Sequence, residues 1–211
     1  MDGRRSRGRP QLRTDEEILR SALRAFAAIG FDAMSVRSLS AQLGLSHETV
    51  RQRFGSKREL YFAAADFGIA EFFATIAEAR ATQVGDLGDF DELRATIRSF
   101  LTAAKKNPEI GRLVNQEGLE ASERLEYLVR NAFEPGAQAL VALVARLVER
   151  GEIRPTTARE LFFLGQAGAA PFNLPRLSQA FDSIDGPLDP ATHIERVTDS
   201  IMRVLTPDRL K

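Results

Sequence analysis

Residues 35–57, SVRSLSAQLGLSHETVRQRFGSK, constrain the fold more than any other stretch of this 211-residue chain. Val36, Leu39 and Leu43 recur at helical spacing, so a short helix there has one apolar face. Gly44 follows at once, where a left-handed residue ends a helix. Ser46 is placed to cap a second helix by accepting from its free backbone N–H groups. Val50 and Phe54 give that second helix one apolar edge; His47, Glu48, Thr49, Arg51, Gln52 and Arg53 make up its other face. A helical hairpin inside a bundle has no need of a second helix this polar. Two short helices joined by a glycine turn, the second basic on its outer face, predict a helix-turn-helix. In that motif the second helix enters the major groove of double-stranded DNA.

Charge is distributed to match. The chain is formally neutral, but residues 1–60 hold twelve Lys/Arg against seven Asp/Glu, and the remainder holds seventeen against twenty-two. A basic head on an acidic body suits a polyanion bound at one end. Residues 1–13, MDGRRSRGRPQLR, are too polar to pack and are expected to be a disordered basic arm. Within it, Arg7 and Arg9 in Arg7-Gly8-Arg9-Pro10 match the core of a minor-groove hook; a solvated tail that adds only nonspecific charge is the other reading.

The absence of cysteine removes thiol catalysis, disulfides and cysteine-ligated zinc. His47 and His193 alone leave little for a metal site or a histidine-based triad, and there is no phosphate loop, nucleotide fingerprint or nucleophile elbow. The expectation is a protein that is no enzyme and needs no metal or cofactor. No apolar run looks long enough to span a bilayer, and no apolar signal core opens the chain. No membrane is expected, and the location reads as cytoplasmic.

Helical periodicity continues to the end. Thr14 and Glu17 form a capping box before Ile18, Ala22, Phe26 and Ile29, with Gly30 as terminator. Ser56 and Glu59 form a second, starting a long helix through Leu60, Ala64, Phe67, Phe72 and Ile76, with Gly68 as a place to bend. Gly85, Asp86, Gly88 and Asp89 mark a loop. A helix through Leu93 to Ala104 precedes one with Asn107 as N-cap and Pro108 at N1. Ser122 to Arg150 is one long pattern that Pro135 must kink or split. Thr157 and Glu160 cap a helix ending at Pro171, one short turn falls near Leu177 to Phe181, and a last helix follows Asp189-Pro190. The fold class is therefore all-α, with about nine or ten helices: an N-terminal three-helix DNA-binding domain over 14–60 and a larger helical bundle over 61–211.

The Ser35-capped helix, the Gly44-Leu45-Ser46 turn, Phe54, Gly55-Ser56-Lys57 and Arg58-Glu59-Leu60 together resemble the TetR family of bacterial one-component regulators. The resemblance covers about the first third of the chain. It implies backbone contacts to DNA from Ser35, Arg37, Thr49 and Lys57, with Ser46 in the same face, and base contacts from His47, Glu48 and Gln52. Gln52 suits adenine and Glu48 suits cytosine N4. Arg51 stands where the family usually has a tyrosine, and arginine there suits either phosphate or guanine. The resemblance also implies a homodimer through the last two long helices, placed here at Leu161, Gly165, Gly168, Ile194, Val197 and Ile201. The small residues near Gly165 and Gly168 would equally suit an internal helix contact. A pocket for a small-molecule effector is expected among Phe72, Phe100, Asn115, Tyr127, Phe133, Phe162 and Gln166. The expected function is a ligand-responsive repressor that binds a palindromic operator as a dimer; the alternative is an architectural helical DNA-binding protein without an effector.

Overall fold

The computed structural model describes residues 13–81 and 88–207, so Arg7 and Arg9 of the expected hook and Gly85 and Asp86 of the expected loop lie outside the described residues. No strand occurs among the described residues. Ten helices have six residues or more: α1 (Asp15–Ala33), α2 (Val36–Gln42), α3 (His47–Phe54), α4 (Lys57–Ala81), α5 (Asp89–Lys106), α6 (Pro108–Glu117), α7 (Glu123–Leu128), α8 (Glu134–Glu149), α9 (Ala158–Asn173) and α12 (Pro190–Leu205). The single turn expected near Leu177 is two short helices, α10 (Pro175–Gln179) and α11 (Asp182–Asp185).

The caps form where local chemistry places them. Thr14 Oγ1 accepts from the Glu17 N–H and the Glu17 carboxylate accepts from Thr14 N–H. Ser56 and Glu59, and Thr157 and Glu160, repeat the arrangement. Asn107 departs from expectation: it sits at the N-cap of α6, but its amide donates to Thr75 Oγ1 at 3.0 Å and so ties α6 to α4. Ile29 also departs, standing exposed on α1 because the chain kinks at Gly30 just beyond it.

Pro135 splits the 122–150 pattern. It cannot donate to the carbonyl four residues back, and the chain changes register through a π-helical segment, Val129–Phe133. The Glu134 N–H reaches back five residues to the Val129 carbonyl, and α8 starts from there. Pro171 is tolerated in the last turns of α9, which continues to Asn173 rather than stopping at the proline.

Two apolar cores result. One holds Ile18, Phe26, Leu39, Val50, Leu60 and Tyr61 together with Ile110, Leu113 and Leu128. The other holds Leu93, Leu101, Leu147, Leu161, Ile201 and Leu205. Phe72 packs against both. The boundary expected at residue 60 is therefore no seam in the packing: α4, α6 and α7 complete the core beneath the first three helices.

Helix α4 carries the connection. It is 25 residues long with a mean hydropathy of 1.4 over its most apolar window, enough by length and composition to cross a membrane, contrary to expectation. It is a core helix, not a span: Leu60, Tyr61, Ala64, Ala65, Gly68 and Ile69 are buried against the rest of the chain. α4 runs through Gly68 as one helix. A methyl there would lie 2.6 Å from both Ile110 Cδ1 and Leu23 Cδ2, so glycine lets α1, α4 and α6 approach closely.

Candidate nucleic-acid interface and the joint behind it

Helices α2 and α3 meet through a turn in which Gly44 has φ +70°, a conformation that disfavours any side chain. Ser46 Oγ accepts from Thr49 N–H at 3.0 Å and lies 2.8 Å from Thr49 Oγ1, so both hydroxyls serve the N-cap of α3. Val50 is buried, while His47, Glu48, Arg51 and Gln52 are exposed on one continuous outer face. Gln52 Nε2 donates to Glu48 Oε1 at 3.3 Å, and Arg51 Nε lies 3.7 Å from the same carboxylate. Glu48 thus orients both neighbours. Arg53 is withdrawn from this face: it donates to the Arg13 carbonyl at 2.7 Å and pairs with Asp15 at 2.6 Å.

Ser35 caps α2 by accepting from Ser38 N–H at 3.3 Å. Arg37 is exposed and makes no side-chain hydrogen bond or ion pair among the described residues. Lys57 is half-buried: its ammonium donates to the Asp32 carbonyl at 3.1 Å and sits 4.7 Å from the Phe31 ring centre. It therefore fastens the start of α4 to the end of α1. The Glu59 carboxylate accepts from Ser56 N–H, which holds it below its ordinary pKa of 4.5. Arg13 Nε donates to the Leu43 carbonyl at 3.4 Å, beside the α2–α3 turn.

Behind the head lies a joint that the sequence reading missed. Glu117 is only 7 % exposed. It accepts from Arg124 Nε at 2.8 Å, Ser122 Oγ at 3.1 Å and Tyr61 Oη at 3.2 Å. Burial first, and then the Glu117 charge, push the Tyr61 phenol well above its usual range. The Arg124 guanidinium lies 4.4 Å from the Phe31 ring centre, Gln116 Nε2 donates to the Ala27 carbonyl at 3.1 Å, and Arg58 pairs with Glu123. Residues 116–124 therefore hold α1, on both sides of its kink at Gly30, and α4 at once. The sequence signal was a glutamate at the end of an otherwise amphipathic helix, which no local rule marks as buried.

The expected pocket residues fall into pairs around α9. Phe72 and Phe100 meet edge to face at 5.8 Å, Phe133 and Phe162 at 4.9 Å, and Gln166 Nε2 lies 3.5 Å from Asn115 Oδ1. Tyr127 stands apart, donating to Asp66 at 2.7 Å; burial and then that carboxylate push its phenol up to about 12. A cleft of about 610 Å³ lies elsewhere, between α9, α10, α11 and the start of α12, and none of the seven expected residues lines it.

The expected dimer residues need correction. Leu161, Ile194 and Ile201 are buried in the chain's own second core, and Val197 packs against it. Gly165 lies against Phe100, and a methyl on Gly168 would come within 2.4 Å of Val197 Cγ1. These six residues join α9 to α5 and α12 within one chain, which was the alternative reading of the small residues. Amphipathic spacing marks a buried face but not which chain buries it.

The head is thus a capped, glycine-turned pair of short helices with a polar reading face, on an all-helical body: a helix-turn-helix DNA-binding protein. Residues 18–64 match the family model for bacterial regulatory proteins of the tetR family. Residues 90–169 match the C-terminal domain model of the HTH-type transcriptional dual regulator CecR. The chain belongs to the TetR family of transcriptional regulators. No curated protein matches the chain in sequence. Among solved structures, a tetR-family regulatory protein from Rhodococcus RHA1 is similar, with 19% identity, 93% of this chain and 100% of that chain covered, and a TM-score of 0.64. PfmR from Thermus thermophilus has 22% identity, coverage of 90% and 99%, and a TM-score of 0.60. AibR in complex with isovaleryl coenzyme A and operator DNA has 18% identity, coverage of 90% and 96%, and a TM-score of 0.61.

Proposed function

We propose that this regulator is a homodimeric repressor that binds a palindromic operator through α3 and is released by a small-molecule effector held in the helical body. It acts by binding and not by catalysis. The observation that carries the reading is the single 25-residue helix α4, which begins under the reading face and carries Phe72, packed against both cores. A ligand weakens DNA binding only by favouring a conformation whose heads misfit the duplex. Helix α4 and the 116–124 joint are the parts that such a ligand would have to move. The neighbour AibR, held with both an acyl-coenzyme A and operator DNA, is a precedent for this pairing of ligands on a similar fold.

In this reading Arg37, Thr49, Ser35 and Lys57 meet phosphates, while His47, Glu48, Arg51 and Gln52 face base edges. Arg7 and Arg9 are assigned in this reading to an adjacent minor groove. The effector is placed among Phe72, Phe100, Asn115, Phe133, Phe162 and Gln166, with Tyr127 at the edge. Selection from a random duplex pool tests the operator: the expected product is a palindrome with half-sites about 34–36 Å apart or a multiple of that. Arg37→Ala should flatten the log K against log salt slope by about 1.8, two phosphate contacts per dimer at about 0.9 each, and Arg98→Ala should leave it unchanged. A·T preference without symmetry would support the architectural reading instead.

A further inference from the structure

We propose that Glu48 is the residue that sets base specificity on the reading face: it accepts from cytosine N4 while Arg51 donates to the paired guanine, and it repels sites that offer it no amino group. The inference rests on the operator reading above and names the base pair, and the means of rejecting others, that the reading leaves open.

Glu48 is the second residue of α3, and the N-terminal residues of such a helix are the ones that reach base edges. Its side chain is 61% exposed and that of Arg51 67%. The two lie one turn apart, with Glu48 Oε2 3.7 Å from Arg51 Nε, while Oε1 accepts from Gln52 Nε2. The carboxylate is thus turned along the outer face toward Arg51 and Gln52. The N-cap of α3 is served without it, by the Ser46 and Thr49 hydroxyls.

Charge decides what this face accepts. An ionised carboxylate accepts and never donates, and phosphates lining a groove repel it. Among major-groove edges only cytosine N4 and adenine N6 offer hydrogens; guanine O6 and N7 and thymine O4 are acceptors. Arg51 selects between the two. Its fork matches guanine O6 and N7, and in a C·G pair those atoms lie beside cytosine N4. In an A·T pair the adenine amino group separates the two acceptors, so the fork finds no such edge. An acceptor and a donor side by side on α3 therefore complement one C·G pair. Together they add no net charge, so a wrong sequence is not held by attraction alone, and specificity is gained by repulsion as well as by contact.

The test is selection from random duplex pools by the full chain as wild type, Glu48→Gln and Glu48→Ala, with circular dichroism as the folding control. Affinities are then measured for the wild-type operator and for a random duplex. Wild type should select a C·G pair at one fixed place in each half-site. Glu48→Ala should lose that preference and keep the others, and Glu48→Gln should move it toward adenine, which an amide reads bidentately. N4-methylcytosine at that place puts a methyl where the groove-facing hydrogen was; it should weaken wild type at least about tenfold and Glu48→Ala little. Random-duplex affinity should rise at least about threefold in both variants, because nonspecific binding is electrostatic. The same base preference in all three proteins would overturn the role of Glu48 and leave the repressor reading intact. Equal falls in affinity for operator and random duplex would do the same, as expected of a carboxylate that serves only the α3 dipole. A wild-type pool with no symmetric site would overturn the repressor reading itself, and this one with it.

Discussion

Arginine does different work in the two halves of the molecule. In the body, Arg94 and Arg98 of α5 pair with Asp199 and Glu195 of α12, and Arg80 of α4 pairs with Glu92 of α5. Arg146 of α8 and Arg150 at its C-cap both bind Asp89, in that order of effect holding its carboxyl far below the ordinary carboxylate range. On the outer face of the head, Arg37 has no partner among the described residues and Arg51 has only a 3.7 Å contact. Exposed pairs contribute little stability, so the body's pairs serve mainly to set helix against helix. Unpaired arginines around a protruding helix keep their field for an incoming polyanion. The same residue type is joinery in one half and a docking surface in the other.

The hardest break to that comparison is Gly168→Glu. It forces a charged side chain against Val197 and Leu101, where even a methyl comes within 2.4 Å of Val197. The expected cost is on the order of 4–5 kcal/mol, the range reached by a buried unpaired charge. Helices α4 and α6 serve the first core, and Phe72 touches both, so head and body should melt in one transition. Tyrosine fluorescence tests this, because Tyr61 and Tyr127 both lie against the first core and the chain has no tryptophan. If fluorescence keeps its wild-type midpoint while the circular dichroism midpoint falls, the head is an independent unit.

The two halves also differed in how much of them the sequence revealed. In the head, each decisive signal is local: Gly44 ends α2, Ser46 caps α3 three residues from its partner, and Glu59 reaches back three residues to Ser56. Such contacts depend on chain geometry alone, so the motif and its polar face were readable. In the body, spacing showed that Leu161, Ile194 and Ile201 were buried but not against what; they pack in the chain's own second core. Glu117 was invisible for the same reason: its donors come from residue 61 on α4 and from residues 122 and 124 at the start of α7. The π-helical turn was half legible, since Pro135 announced a break and not the manner of it.

A smaller effect should come from Glu117→Gln. The amide keeps the size and an acceptor but leaves Arg124 without its carboxylate in a half-buried site. The expected loss is about 1–3 kcal/mol, the cost of an unsatisfied buried polar group. Asp199→Asn, at an exposed body pair, should cost about 0–1 kcal/mol. The informative quantity is operator affinity measured well below the melting temperature. Glu117→Gln should lower it because α1 and α4 lose their common anchor, whereas Asp199→Asn should not. Equal operator affinities in the two variants would show that the joint stabilises the fold without orienting the head.

The smallest effect expected is in acid. Glu59 in the head and Glu160 in the body close capping boxes of the same design, and both carboxyls lie below their ordinary pKa of 4.5, chiefly through the backbone N–H groups of Ser56 and Thr157. A carboxyl depressed in the folded state binds fewer protons there than in the unfolded chain. Its contribution is complete above about pH 4.5 and is lost as pH falls through the folded-state value. Glutamine can still close a capping box, so Glu59→Gln and Glu160→Gln should fold and should each show a shallower fall of melting temperature below about pH 4.5. Because the two cores melt together in this picture, the two variants should flatten the acid limb alike. A flattening in Glu59→Gln alone would mean that the head governs the acid transition, and an unchanged limb in both would mean that neither cap does.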